Sequence, residues 1–238
     1  VMGGSNEEAM KLAAGPQIVP LYGTDFRSTP VYFLQDDHDH WENDSPLTYP
    51  VPWFQLQLAR TTQQLYYPEF LPDATRSSGL PYSSSSARGD LSESFGTLRY
   101  GQLLEVLLYD VRRTLSVGEL NAGFLDSNVE DWLVHRTTSR DTRHLVHVPS
   151  NPPGWTAGKW GEWYPDMLHP ETGELTTQIP KPYWQQGWLN QHDRIMQSLA
   201  DMKHRNPLVI AGDLHATGVG IMHGAGNLDF SDNPITNI

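Results

Sequence analysis

The chain has 238 residues, enough for one sizeable domain or two small ones. Its formal net charge of −12 argues against broad binding to nucleic acid or to anionic membrane surfaces. It contains no cysteine, which excludes disulfides and thiolate metal sites within the chain, and no apolar stretch approaches the roughly 20 residues of a membrane span.

The N-terminal part predicts few regular elements. Ser5 or Asn6 is a candidate cap for a short helix over 5–15. Val31 to Leu34 predicts a short buried strand, and 53–66 has the apolar spacing of a helix. A Pro-, Gly- and Ser-rich stretch then predicts a long loop over 67–97.

The C-terminal part predicts strands that alternate with helices. Within 98–111, the run Leu-Leu-Glu-Val-Leu-Leu-Tyr predicts a strand that ends at Asp110. The other predicted elements are a helix over 126–135, a strand over 145–148, a long loop over 151–187, an amphipathic helix over 188–204 and a strand over 209–211. Asp126 or Ser127 is the candidate cap of the first helix, with Glu130 in its first turn. This order predicts an α/β sheet with crossover helices, in one domain over 1–238.

The last predicted strand ends in a pair of metal-capable side chains. Asp213 and His215 follow Gly212 and lie two positions apart, so an extended backbone would aim both the same way. Such a pair at the carboxyl edge of a sheet is typical of an α/β enzyme site. The alternative is a strand exit whose Asp caps the next turn and whose His is an ordinary polar residue.

A second cluster, Asp36-Asp37-His38-Asp39-His40, follows the strand predicted at 31–34. Its carboxylates would repel one another unless a cation or protonation relieved them. A solvated acidic turn is the alternative interpretation. Two Asp/His clusters at strand ends together predict a metal-dependent hydrolase.

Two further groups of polar residues lie near predicted strands. Arg112 could bind a phosphate oxygen in a bidentate manner, although a surface ion pair is the commoner role of such an arginine. The set Asp141, Arg143, His144 and His147 is interpreted mainly as structural, with His147 as a candidate support for a site ligand.

Six aromatic residues fall within 155–184: Trp155, Trp160, Trp163, Tyr164, Tyr183 and Trp184. A loop with its own small aromatic core is the favoured interpretation. The alternative is a non-catalytic binding module, or an inactive fragment, that uses these rings to hold a sugar or a partner protein. The sequence has no Gly-x-Ser-x-Gly elbow, P-loop or dinucleotide fingerprint.

Three stretches, in this order, carry a resemblance to a known family. They are Gln35-Asp36-Asp37-His38-Asp39 with Asn43-Asp44, Leu108-Tyr109-Asp110-Val111-Arg112 with Glu130-Asp131-Trp132-Leu133, and Asn206 to His215. Together they resemble the PhoD-like alkaline phosphatase/phosphodiesterase branch of the calcineurin-type metallophosphoesterases. The resemblance covers about 31–230 in separate blocks.

The resemblance implies a four-layer α-β-β-α sandwich and the hydrolysis of phosphate mono- or diesters by a metal-activated water. It assigns Asp37, Asp213 and His215 as metal ligands, His38 as a catalytic residue, and Arg112 as a residue near the substrate phosphate. Divalent or trivalent ions are implied, with Ca, Mn, Fe and Zn all compatible with oxygen and imidazole ligands. The implied partner is a small phosphate ester.

The family's first metal ligands lie upstream of any block found here, so the chain is expected to correspond to the C-terminal part of the domain. A partner chain or an upstream segment would then complete the site. The first residues show no signal-peptide pattern, whereas the resemblance suggests a secreted or periplasmic protein.

Overall fold

The computed structural model describes residue 20 and residues 23–24, 26–34, 95–111, 118–153, 167–168, 171–172, 175–176, 186–212, 217–225 and 227–238. Within these residues the α-helices are α1 (Ser127–Thr138) and α2 (Gln186–Ala200), and Glu119–Asn121 form a 3-10 turn. Its strands are β1 (Phe95–Tyr100), β2 (Leu104–Tyr109), β3 (His144–Pro149), β4 (Met167–Leu168), β5 (Leu175–Thr176), β6 (Leu208–Val209), β7 (Gly220–Met222), β8 (Gly224–Ala225), β9 (Leu228–Asp229) and β10 (Ile235–Asn237).

Six strands form one mixed sheet in the order β1-β2-β3-β6-β10-β7. The four inner strands β2, β3, β6 and β10 are parallel, whereas β1 and β7 pair antiparallel at the two edges. Helix α1 connects β2 to β3, and α2 lies between β3 and β6 in the chain. The predicted α/β sheet with crossover helices is therefore confirmed.

Both helices cover the same face of the sheet. The largest buried side chains come from the helices, the sheet and the connecting turns, and include Trp188, Tyr109, Phe124, Leu133 and Ile195. The start of α2 packs closely on the turn after the 3-10 segment, because a Cβ at Gly187 would collide with the carbonyl oxygen of Ala122. Close packing at these points fixes the position of α2 over the sheet.

The opposite face of the sheet is also apolar but is covered less completely. Val106 and Val146 are opposite each other in register and are half-buried. Ile210 is 39% exposed and Ile221 is 62% exposed. Parallel sheets are usually covered on both faces, so this second face has the composition of a packing surface.

The strand predicted within 98–111 is confirmed as β2, and it pairs with β1, a strand that was not predicted, to form a β-hairpin. β1 turns into β2 at 101–103, where Gly101 has φ 55° and the amide of Leu103 donates to the carbonyl of Tyr100 (3.0 Å). The left-handed conformation at Gly101 reverses the chain, and this position favours glycine. β1 also begins within the last residues of the loop predicted over 67–97.

Other element boundaries differ by a few residues. The strand predicted over 145–148 is confirmed as β3, and the helix predicted over 126–135 is confirmed as α1. The second helix ends at Ala200 rather than residue 204, and the strand predicted over 209–211 is observed at Leu208–Val209. Residues 31–34 are half-buried but form no strand, so that prediction is wrong. The stretch predicted as a loop over 151–187 includes β4, β5 and the start of α2.

Asp126 caps α1, as predicted, because its carboxylate accepts from the amide of Asn128 (2.9 Å). Glu130, which the sequence placed in the first turn of α1 behind the cap, has a different role. Its carboxylate accepts from the side chain of Gln191 (2.8 Å) and pairs with Arg194. Glu130 therefore joins α1 to α2.

A network of charges closes the amino edge of the parallel strands. Arg136 pairs with the fully buried Glu105 and with Asp141. Arg205 donates to backbone carbonyls at the end of α1, including Thr137 (3.0 Å) and Ser139 (2.9 Å). Burial raises the pKa of Asp141, but hydrogen bonds from Ser139 and Arg136 and the nearby arginines outweigh it and lower the pKa to about 2. Asp141, one of the polar residues that were interpreted as mainly structural, thus has a structural role.

Two predicted helices, over 5–15 and 53–66, lie outside the described residues. Within the described part of the chain, neither helix is long and apolar enough to cross a membrane.

Candidate functional site

The carboxyl ends of the parallel strands bring polar residues to one edge of the sheet. Asp110 follows β2 and is 3% exposed. Ser150 and Asn151 follow β3 and are 7% and 0% exposed. Residues 210–212 follow β6 at the same edge. Ligand sites of α/β proteins form at such an edge, so this is the candidate functional site.

Backbone and side-chain hydrogen bonds fix the exits of β2 and β3 to each other. The amide of Ser150 donates to the carbonyl of Tyr109 (3.1 Å), and the amide of Val111 donates to the Ser150 hydroxyl (3.0 Å). Asp110 lies between these two anchored residues. Its backbone position is therefore determined on both sides.

His147 lies in the middle of β3 and is fully buried on the helix-covered side. Its Nδ1 is 3.2 Å from the hydroxyl of Tyr109, and its Nε2 is 2.9 Å from the hydroxyl of Thr137. Burial, followed by the charge of Arg205, lowers the pKa of His147 to about 3. Burial also disfavours the charged form of Tyr109, which raises the pKa of its hydroxyl. Both groups are neutral at physiological pH, which agrees with the mainly structural role predicted for His147.

His192, also fully buried, connects α2 to the loop after β3. Its Nε2 is 3.2 Å from the carbonyl oxygen of Pro153, and its Nδ1 is 3.0 Å from the carboxylate of Asp193. The sequence predicted the amphipathic helix but gave no signal for this contact. The contact positions the N-terminal half of α2 beside the candidate site.

Asn237 is the last residue of β10 and is 1% exposed. It is in register with Val209, which is in register with His147 on the next strand. Within the part of the chain that the structure describes, neither atom of its amide group has a hydrogen-bond partner. An unsatisfied buried amide costs about 1–3 kcal/mol, so Asn237 is an unusual feature of this edge.

All five residues assigned from the sequence to the site lie outside the described residues: Asp37, His38, Arg112, Asp213 and His215. The strands that lead to three of them are described. β2 leads to Arg112, and β6 leads to Asp213 and His215. One strand, β3, lies between these two, so the backbone exits are about 10 Å apart at the two-strand spacing of a sheet. The aromatic residues of 155–184 also lie outside the described part.

Oxygen donors suitable for a hard cation are present at this edge in Asp110 and Asn151. Among the described residues, no group of three or more His, Asp or Glu side chains is arranged to hold a metal ion.

A separate groove of about 710 Å³ lies between α1 and α2. It is lined by residues of both helices and by Leu228, and none of the strand-exit residues described above lines it. Glu130 and Arg194, which line it, already pair with each other. The groove is therefore distinct from the carboxyl-edge site.

Comparison with protein-family models finds no match for this chain. Comparison with curated proteins finds no match either.

Comparison with solved structures finds a match to a structure of PhoD. The TM-score is 0.54 at 15% sequence identity, and the match covers 85% of this chain and 38% of the PhoD chain. The chain therefore has a PhoD-like fold and spans well under half the length of that protein.

Proposed function

We propose that this chain forms part of a metal-dependent phosphoesterase that hydrolyses phosphate mono- or diesters. The observation that carries the proposal is the fold shared with PhoD over 85% of the chain. The three sequence stretches that resemble the PhoD-like branch support the same function independently. On this proposal the chain is a single domain, partial with respect to the complete metallophosphoesterase domain.

The arrangement of strands supports the proposal because it brings two of the three stretches to one edge. Arg112 lies two residues after Asp110, and Asp213 lies one residue after Gly212. β2 and β6 run parallel to β3 on either side of it, so both segments leave the sheet in the same direction. On this proposal, Arg112 and Asp213 act on the same substrate phosphate.

The second face of the sheet supports the four-layer sandwich. Ile210 and Ile221 are exposed on that face beside half-buried valines. Covering such a face gains about 25 cal/mol per Å² of apolar surface buried. A second sheet packed here, with helices beyond it, would give the α-β-β-α arrangement.

Each residue of the proposed site has a distinct role. Asp37, Asp213 and His215 hold the metal ions, and Arg112 binds oxygen atoms of the substrate phosphoryl group. His38 donates a proton to the leaving oxygen, since imidazole titrates near neutral pH. When bound, the metal ions would lower the pKa of the attacking water and polarise the phosphoryl oxygens.

The donor chemistry of the described edge fits this assignment. Asp110 supplies a carboxylate and Asn151 a carbonyl oxygen, both buried close to the proposed segments. Oxygen and imidazole donors accept Ca, Mn, Fe or Zn. Ligands from another segment or from a partner chain would complete the site. The substrate is a small phosphate ester rather than a nucleic acid recognised in a sequence-specific manner.

The test measures bound metal and hydrolysis in protein that carries this chain. Elemental analysis is combined with hydrolysis of nitrophenyl phosphate mono- and diesters. His215→Ala is expected to lower kcat/KM by about 100-fold or more, because loss of a ligand disturbs the metal at least as much as loss of a supporting residue. His135→Ala, at an exposed position of α1, is the matched control and is expected to retain full activity.

Protein without bound metal, or with hydrolysis unchanged by His215→Ala, would refute the proposal. Activity that chelators remove and one metal restores would identify the ion. The ratio of monoester to diester hydrolysis would then define the substrate class.

A further inference from the structure

The hydrogen bonds around His147 have a direction that the geometry determines. The Thr137 hydroxyl is 2.7 Å from the carbonyl oxygen of Leu133, which can only accept. A hydroxyl has one proton, so Thr137 donates to Leu133 and accepts from His147. The proton of His147 is therefore on Nε2.

The other side of the ring follows from this assignment. A neutral imidazole with its proton on Nε2 has a lone pair on Nδ1. The Tyr109 hydroxyl, 3.2 Å away, must then donate to Nδ1. One continuous chain of donors runs from Tyr109 through His147 and Thr137 to the backbone of α1.

We propose that Tyr109, His147 and Thr137 form a positioning chain that holds the exit of β2 in place for substrate binding. Its effect on catalysis rests on the proposed phosphoesterase function. The three residues are positioning residues, because they act through the backbone that carries Asp110 and leads to Arg112.

The connection between this positioning chain and the site is short. Tyr109 is the last residue of β2. Its hydroxyl bonds to His147 of β3, which in turn bonds to Thr137 of α1. Its carbonyl accepts from the amide of Ser150, and the next anchor is the bond from the Val111 amide to the Ser150 hydroxyl. Release of the Tyr109 ring would loosen both sides of Asp110.

The direction of the hydrogen bonds in the positioning chain can be measured without any assay of activity. Nitrogen-15 NMR of the histidine rings is expected to show His147 as the neutral Nε2–H form from about pH 5 to about pH 8. An Nδ1–H form, or a charged ring in this range, would overturn the proposal.

Three variants test the positioning role. Tyr109→Phe keeps the ring and removes the donor, and Thr137→Val removes the acceptor of the Nε2 proton. Both are expected to speed amide exchange at Val111 and to lower kcat by about 10-fold or more, with a smaller change in KM. Thr137→Ser keeps the hydroxyl and is expected to restore both to near the wild-type values.

Thr142→Val is the matched control for a lost buried hydroxyl. Thr142 accepts from Arg205 (2.9 Å) at the amino edge of β3, far along the strand from the exit of β2. Thr142→Val is expected to change stability without changing kcat or exchange at Val111. Equal losses of kcat in Thr142→Val and Thr137→Val would refute a specific positioning role.

The two proposals fail in different ways. If the unsubstituted protein hydrolyses no phosphate ester, the phosphoesterase proposal fails, and the tautomer and the Val111 exchange still decide the positioning chain. If hydrolysis is present but Tyr109→Phe changes neither kcat nor exchange, the positioning proposal alone is wrong.

Discussion

The amino and carboxyl edges of the parallel strands are stabilised by different kinds of interaction. At the amino edge, Glu105, Arg136, Asp141 and Arg205 form a network of charged groups with many hydrogen bonds. At the carboxyl edge, hydrogen bonds between neutral groups link the exits of β2 and β3, from the Val111 amide to the Ser150 hydroxyl and from the Ser150 amide to the Tyr109 carbonyl. The sheet therefore has one edge closed by ions and one edge that presents polar groups.

This difference has a physical consequence for function. Removal of either partner of a buried ion pair leaves an unpaired buried charge, which costs about 3–5 kcal/mol. Neutral groups can exchange hydrogen bonds with a ligand at a lower cost. Among the described residues, the side-chain amide of Asn237 at the end of β10 has no hydrogen-bond partner.

The largest expected effect comes from breaking the ion network at the amino edge. Arg136→Met leaves Glu105 buried without its partner, because Glu105 is fully buried and Arg136 only 4% exposed. The free energy of unfolding is expected to fall by about 3–5 kcal/mol, measured by urea denaturation.

Arg99→Met is the control for this substitution. Arg99 also pairs with Asp141 (3.2 Å), but both side chains are partly exposed. Exposed pairs contribute under about 1 kcal/mol, so a small loss is expected. Similar losses from Arg99→Met and Arg136→Met would contradict the view that the buried pair dominates the amino edge.

A substitution of Asn237, at the carboxyl edge, is expected to have the opposite effect on stability. Asn237→Leu replaces an unsatisfied amide with an apolar side chain of similar size. The substitution is expected to raise the free energy of unfolding by about 1–2 kcal/mol, measured in the same urea experiment. A loss of stability would show that the amide binds a group outside the described residues. Asn237→Asp, which adds a charge at the same position, is expected to destabilise the protein.

The fold was predictable from the sequence where the apolar pattern extends over many residues. Helix α1 with its cap at Asp126, helix α2 and strand β3 were all predicted within a few residues. The hairpin at Gly101 was missed because the apolar run of β2 continues the pattern of β1 across a short turn. β10 and β7 were missed because three-residue strands are specified by their neighbours rather than by local pattern.

The candidate site was predictable only in part. The edge of the sheet followed from the predicted alternation of strands and helices, whereas Ser150 and Asn151 were not assigned to the site from the sequence. Asn237 and His192 gave no signal, because their burial depends on contacts distant in sequence. The predictions for Asp37, His38, Arg112, Asp213 and His215 remain predictions, since these residues lie outside the described part.

The last expected effect concerns His147 and pH. Burial, then the charge of Arg205, lowers the pKa of His147 from 6.5 to about 3 in the folded protein. The neutral ring therefore stabilises the fold fully above pH 6.5, and this stability is lost as the pH falls from 6.5 toward 3. Between about pH 6 and about pH 4 the loss approaches about 1.4 kcal/mol per pH unit.

Urea denaturation at several pH values measures the slope of the free energy of unfolding against pH. His147→Gln is expected to remove this slope. The substitution itself costs stability at every pH, so only the difference in slope reports on the titration of His147. His135→Gln, on the exposed side of α1, is expected to leave the slope unchanged. If the His147→Gln protein retains the full slope, His147 is protonated in the fold. The middle of β3 would then contain a buried charge outside the ion network of the amino edge.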